Sequence, residues 1–194
     1  MSDDAFAHAW QAEVLKAPPL IAPARQYTWP VAIPGEEDAM ARGALQVMVR
    51  AGVEMGGSFL ANCALGFTDP TMPSGVWGCP AGEEICAVAG GYAYIANVRT
   101  PELCMQVPLR PVVAVDAAIE AGLLLFTGFQ TIVAWGVDGL AWETGRLSWD
   151  GVRVVEVASR EVRGFGWDLM ADEEVPFRVD LRTGLATGGG YRLG

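Results

Sequence analysis

Carboxylates next to tryptophans are the residues of this sequence best suited to chemistry. Three such pairs lie in the C-terminal half of the chain: Trp142-Glu143, Trp149-Asp150 and Trp167-Asp168. Glycoside hydrolysis uses two carboxylates that flank the scissile bond, and tryptophan beside a carboxylate is a common arrangement in sugar sites. One hypothesis is therefore a carboxylate-dependent hydrolase acting on a carbohydrate, with this acidic and aromatic cluster as its site.

The same residues also have a structural interpretation. Asp150 precedes Gly151, a pair typical of a turn in which the aspartate bonds its own backbone. Tryptophans bury large apolar areas and often fill core positions. We therefore favour a structural role for the cluster and predict no catalytic residue.

Other catalytic and cofactor chemistries find little support. His8 is the only histidine, and no serine lies in a G-x-S-x-G motif. The glycine pairs are not followed by a P-loop lysine. The cysteines, at positions 63, 79, 86 and 104, form no close C-x-x-C pair of the kind zinc sites use. We expect no metal and no cofactor, and reduced thiols rather than a Cys79–Cys86 disulfide.

One irregular segment has the composition of a binding loop. Residues 71–91 are rich in glycine, proline and cysteine and lack strand alternation until Ile85. Long irregular segments on a rigid β scaffold often carry binding surfaces. We predict that Trp77, Glu83 and Glu84 contribute to binding.

The charge indicates the kind of partner. The chain has 13 basic and 23 acidic residues, a net charge of −10. Such a chain repels nucleic-acid backbones, so a basic protein is the expected partner. No apolar run reaches the roughly 20 residues of a membrane helix, and the acidic start of the sequence does not resemble a signal peptide. We expect no membrane association and a cytoplasmic location.

The N-terminal part predicts one helix and an extended arm. Phe6, Trp10 and Val14 recur near helical spacing, which predicts a helix within residues 1–17. Pro18-Pro19 would end it. Residues 18–42 are proline-rich and predict an extended arm, with one short strand at Tyr27-Thr28-Trp29.

From residue 43 onward, short apolar runs alternate with turn signals. Gly90-Gly91, Asp138-Gly139, Asp150-Gly151 and Thr183-Gly184 are hairpin signals. These patterns predict an all-β fold, an antiparallel meander or sandwich of ten or more short strands. We expect residues 1–194 to form a single β-rich domain.

An alternative fold is a small propeller-like repeat. Residues 134–142 and 180–184 each read as strand–turn–strand and resemble pieces of quinoprotein-type propeller repeats. Successive pieces of this kind lie near the spacing of propeller blades. The resemblance implies a set of four-stranded blades in place of a sandwich.

The preferred function from sequence is a non-enzymatic binding or interaction protein that engages a basic protein partner. The carbohydrate hydrolase is one alternative. A self-assembling structural protein is another, because exposed β edges and a proline-rich arm favour pairing between copies and homo-oligomers.

Overall fold

The computed structural model describes residues 2–3, 5–30 and 39–191. These residues contain seventeen β-strands and three short 3-10 helices, and no α-helix. The all-β prediction is confirmed. Within the same residues, no helix has the length and apolar character needed to cross a membrane.

The chain divides into two compact units, Met1–Pro111 and Val112–Gly194. Each unit contains two mostly antiparallel sheets. This division does not show whether the two units fold together as one domain. The single domain over residues 1–194 therefore stays a prediction.

The first unit carries nine strands. They are β1 (Ser2–Asp3), β2 (Gln11–Val14), β3 (Gln26–Trp29), β4 (Ala44–Arg50), β5 (Phe59–Ala64), β6 (Gly75–Gly78), β7 (Glu84–Ala89), β8 (Tyr92–Asn97) and β9 (Met105–Gln106). Their order in the sheets is β1-β6-β7-β8-β9 and β2-β4-β5-β3, in which only the β1–β6 and β3–β5 pairs are parallel. Short 3-10 helices lie at Ala39–Arg42 and Val53–Met55.

Both sheets of the first unit contribute to one apolar core. Trp29 and Phe59 come from one sheet, and Ile85 and Tyr94 from the other. All four side chains are fully buried. The Trp29 indole donates to the Pro101 carbonyl at 2.8 Å, which satisfies its polar atom inside the core.

The second unit carries eight strands. They are β10 (Ala114–Ala118), β11 (Leu123–Thr127), β12 (Ile132–Gly136), β13 (Gly139–Glu143), β14 (Arg153–Val157), β15 (Glu161–Asp168), β16 (Glu173–Asp180) and β17 (Ala186–Gly188). They form two consecutive meanders, β10-β11-β12-β13 and β14-β15-β16-β17. A 3-10 helix at Ile119–Ala121 links β10 to β11.

The two meanders share a second core. Leu125 and Ile132 of the first meander lie in one apolar cluster with Val162, Phe177 and Val179 of the second. Side chains alternate between the faces of a strand. Three side chains therefore point outward, away from this core: Arg178, between Phe177 and Val179, and Glu161 and Arg163, on either side of Val162.

The predicted N-terminal helix is wrong. Residues 11–14 form β2, which pairs antiparallel with β4, and residues 2–3 pair with β6. Trp10 is buried and its indole donates to the Gly82 carbonyl at 3.2 Å. A lone helix of this length is marginal in water. Strand pairing and the burial of Trp10 outweigh the helical spacing of the apolar residues.

The predicted arm at 18–42 is partly described. Its short strand is confirmed, since Gln26–Trp29 forms β3 alongside β5. Ala39–Arg42 forms a 3-10 helix. Residues 31–38 lie outside the described residues.

Three of the four predicted hairpins are confirmed, because Gly90-Gly91, Asp138-Gly139 and Thr183-Gly184 each connect paired strands. The hairpin predicted at Asp150-Gly151 is wrong: this turn lies between β13 and β14, which belong to different sheets.

The Gly90-Gly91 turn shows why glycine is required. Gly90 and Gly91 have φ of 55° and 81° and connect β7 to β8. A Cβ at Gly90 would lie 2.3 Å from the Phe67 carbonyl oxygen. This turn therefore requires glycine both for its backbone conformation and for the close approach of another segment.

Candidate binding surface

The residues predicted for binding in the first unit belong to the β6–β7 region. Trp77 lies opposite Cys86 in the sheet and is half-buried. The exposed Glu83 carboxylate pairs with Arg99 at 2.9 Å. Glu84 begins β7 opposite Asn97. Arg99 thus engages the carboxylate of Glu83, and an exposed pair of this kind contributes little to stability.

Trp142 and Glu143 lie on β13, at the edge of its sheet. The Trp142 indole donates to the Leu181 carbonyl at 2.8 Å. A Cβ at Gly184 would lie 2.8 Å from the indole ring, so this tryptophan packs on the β16–β17 turn. Glu143 is exposed and accepts a hydrogen bond from the Thr131 hydroxyl at 3.4 Å. Trp142 therefore connects the two meanders of this unit.

The structure brings Trp149 and Trp167 together. The Trp149 N–H donates to the Trp167 carbonyl at 3.0 Å. The Arg146 guanidinium lies 4.9 Å from the centre of the Trp149 ring and 4.4 Å from that of Tyr191. These two cation–π contacts hold Arg146, Trp149 and Tyr191 together. Asp150 is exposed and precedes the Gly151 turn.

Asp168 closes β15 and is buried, with 6% of its surface exposed. Its Oδ1 accepts the backbone N–H of Met170 at 2.9 Å and of Ala171 at 3.2 Å. This carboxylate therefore stabilises the turn between β15 and β16. Such aspartate-to-backbone bonds are a common way to fix a tight turn.

The turn that Asp168 holds presents apolar side chains to solvent. Met170 is 86% exposed and Leu169 is 58% exposed. Asp172 and Glu173, which follow after Ala171, are exposed as well, and Asp172 has a positive φ of 55°. We call residues 169–173 the β15–β16 tip.

Leu169 and Met170 were missed by the sequence reasoning. Two large apolar residues, separated by Ala171 from the acidic run Asp172-Glu173-Glu174, lie between two strand-like segments. That placement is the sequence signal for exposed apolar residues, because a hairpin turn buries few side chains. The pairing of β15 with β16 was needed to locate the turn.

The outer face of the second meander carries two cross-strand rows. The first row is charged and polar: Glu156 lies opposite Arg163, which lies opposite Arg178, which lies opposite Thr187. Arg163 pairs with Glu156 at 2.9 Å and also with Glu161. Arg178 lies 3.6 Å from Glu161.

The second row is largely apolar and is held by an arginine. Arg153 lies opposite Phe165, and Phe165 lies opposite Pro176. The Arg153 guanidinium is 4.8 Å from the centre of the Phe165 ring. It also binds both oxygens of Glu174, at 3.0 and 2.6 Å. This hydrogen-bonded pair lowers the pKa of Glu174 and raises that of Arg153.

A cavity of about 510 Å³ is lined by members of both rows. Arg163, Arg178, Glu156 and Thr187 come from the charged row, and Phe165 and Pro176 from the apolar row; Val155, Phe177, Gly164 and Gly188 complete the lining. We call this cavity the sheet trough. None of the residues predicted from sequence lines it.

Comparisons with known proteins add little. No protein-family model and no curated protein matches the sequence. Among solved structures, Kuenenia stuttgartiensis hydrazine synthase aligns over 63% of this chain and 50% of its own, with a TM-score of 0.29 and 10% identity. The tricorn protease aligns over 80% of this chain and 16% of its own, with a TM-score of 0.27 and 15% identity. Scores this low do not indicate a shared fold, and nothing about function follows from them.

Proposed function

We propose that this chain is a non-catalytic binding protein that engages a basic protein partner through the β15–β16 tip. The observation that carries the proposal is the exposure of Leu169 and Met170 on a turn whose backbone is bonded to the buried Asp168 carboxylate. Large apolar side chains that a fixed backbone presents to solvent suit insertion into a pocket on another protein.

Preorganisation supports this role. Ordering a loop on binding costs free energy, and a loop already held in its bound conformation avoids much of that cost. Two backbone N–H groups of the tip, those of Met170 and Ala171, are bonded to Asp168. The apolar anchors can then contribute through the area they bury, since a fully buried methionine or leucine contributes roughly 1.5–3 kcal/mol.

Charge supports a basic partner. Asp172 and Glu173 lie in the same tip, on the C-terminal side of the apolar anchors, and are exposed. The whole chain carries a net charge of −10. Acidic residues around apolar anchors favour a pocket rimmed by arginine or lysine and accelerate its association, an effect that weakens with salt.

The finer architecture and the compartment are also proposals. In each unit, both sheets contribute side chains to one core, as two sheets packed face to face in a sandwich do, and we propose the sandwich on this ground. All four cysteines are free thiols, which supports a reducing cytoplasm.

Site-specific crosslinking tests the proposal. Met170→p-benzoylphenylalanine would be irradiated in the source cells, and mass spectrometry would identify the captured chain. The purified pair would then be measured by calorimetry at low and high salt. We expect a partner with a basic contact surface. Affinity should fall at least ten-fold in the Leu169→Ser, Met170→Ser double variant and should decrease with salt.

Leu185→Ser is the matched control. Leu185 is 72% exposed and lies in the next turn of the same sheet, so its removal should leave the affinity unchanged. Crosslinks only to a second copy of this chain would overturn the proposal in favour of self-assembly. Equal loss of affinity in the Leu185 variant and the tip variant would also overturn it.

A further inference from the structure

We propose that the sheet trough is a binding site for a small organic anion with a flat apolar body, such as an aromatic carboxylate. The trough belongs to the outer face of the β14–β17 sheet and its residues are not those of the tip. The inference therefore does not rest on the proposed partner protein. It assigns a second, separate ligand to the chain.

Two arginines of the charged row are neighbours. Arg163 and Arg178 lie directly opposite each other on neighbouring strands, and like charges in that position are unfavourable. Glu161 lies near both guanidinium groups, and Glu156 pairs with Arg163 as well, so Arg163 is the more closely paired of the two. An anion bound at Arg178 would pair with the guanidinium that no carboxylate of the described residues contacts at hydrogen-bond distance.

Arg178 is the better placed of the two to receive a ligand. Arg163 is bonded to Glu156 at 2.9 Å and to Glu161. Arg178 lies 3.6 Å from Glu161, beyond normal hydrogen-bond distance, and its side chain is 66% exposed. Its donors can turn to a carboxylate, which matches the planar fork of a guanidinium.

The opposite row supplies an apolar wall. Phe165 and Pro176 lie side by side across β15 and β16, and Val155 adds a 58% exposed side chain at the edge. Arg153 stacks on Phe165 while both of its bonds go to Glu174. This stacking holds the ring in place, so the wall exists before a ligand arrives.

The dimensions agree with a small molecule. The volume of about 510 Å³ lies within the range of roughly 300–1,000 Å³ that is typical of small-molecule sites. The lining combines aromatic and aliphatic groups with a few charged ones, the usual composition of such sites. Because one wall of the trough carries a cation and the other an aromatic ring, the ligand that fits it best is an anion with an apolar body.

Naphthoate and its neutral analogue naphthamide provide a matched pair of probes. Binding to the full chain would be followed by calorimetry and by ligand-observed NMR. We expect naphthoate to bind at least several-fold more tightly than naphthamide. Arg178→Gln should weaken naphthoate about ten-fold, as expected for the loss of a charge-assisted bond, and should leave naphthamide unchanged.

Two further variants complete the test. Val155→Ser should weaken both probes, because it removes apolar surface that both contact. Arg182→Gln removes the same charge from an exposed residue that does not line the trough, so it should change neither. The inference is overturned if naphthoate does not bind at millimolar concentration, if naphthamide binds equally well, or if the two arginine variants behave alike. Inorganic phosphate binding as tightly as naphthoate would also overturn it, because the apolar wall would then have no role.

Discussion

The buried carboxylate of Asp168 accepts the backbone N–H of Met170, 2.9 Å away, across the turn that joins β15 to β16. The two residues differ sharply in exposure, at 6% for Asp168 and 86% for Met170. A buried polar group therefore fixes the backbone of a residue whose side chain is almost wholly in solvent. This relationship links the stability of the hairpin to the presentation of the tip.

Replacing Asp168 should loosen the tip. Asp168→Ala removes the acceptor for two backbone N–H groups. We expect a loss of about 2 kcal/mol in the free energy of unfolding, in the range for hydrogen bonds to a charged group. Urea denaturation would measure the loss, and amide hydrogen exchange at Met170 and Ala171 should accelerate. Asp168→Asn keeps an acceptor oxygen and should cost clearly less; equal costs would contradict this account.

Gly184 should not tolerate a side chain. It has a positive φ of 70°, and a Cβ there would lie 2.8 Å from the Trp142 ring. Gly184→Ala therefore combines backbone strain with a clash, and we expect a loss of about 2–4 kcal/mol by thermal or urea denaturation.

Gly151→Ala is the matched control for that variant. Gly151 has a positive φ of 83°, but a Cβ at this position would meet no atom within 4 Å. The variant should show only the backbone strain of about 1–2 kcal/mol. Similar losses in the two variants would mean that Trp142 moves aside freely.

The stability of the fold should depend on the Tyr94 hydroxyl. The buried Tyr94 hydroxyl donates to the Ala64 carbonyl at 2.9 Å. Tyr94→Phe leaves that carbonyl without this donor while the ring stays in the core. We expect a loss of about 1–2 kcal/mol in the free energy of unfolding. An unchanged stability would show that the hydrogen bond makes no net contribution.

The thiols should be unreactive in the folded chain. Burial raises the pKa of Cys63, Cys79 and Cys86 well above the usual range and that of Cys104 to about 12. The reactive thiolate is therefore scarce at pH 8. Titration with Ellman's reagent should be slow in buffer and should reach four thiols in urea. Two missing thiols under denaturing conditions would indicate a Cys79–Cys86 disulfide.

The Glu174 carboxylate should remain ionised to unusually low pH. Its hydrogen bonds to Arg153 lower its pKa in the folded chain. The contribution of this pair to stability is therefore present above the ordinary glutamate pKa and is lost as the pH falls through the lowered one. NMR titration of the side-chain carboxyl should show the low pKa and its return toward the ordinary value in Arg153→Gln. The same pKa in both proteins would contradict the assignment to Arg153.

The sequence by itself determined the β character and the positions of several turns. Gly90-Gly91, Asp138-Gly139 and Thr183-Gly184 lie in the predicted hairpins. Turn formation depends on local backbone conformation, because positive φ is available to glycine and costly for other residues. Such a requirement is visible in the residues themselves, without knowledge of the strand partners.

Strand pairing decided the rest. Trp10 follows helical spacing but is buried beside Gly82, more than seventy residues later in the chain. Arg163 and Arg178 become neighbours only through the register of β15 and β16. Register is a property of two segments together, and a shift of one residue reverses which face each side chain occupies. For this reason the composition predicted only a kind of partner, and the tertiary structure was needed to locate the tip and the trough.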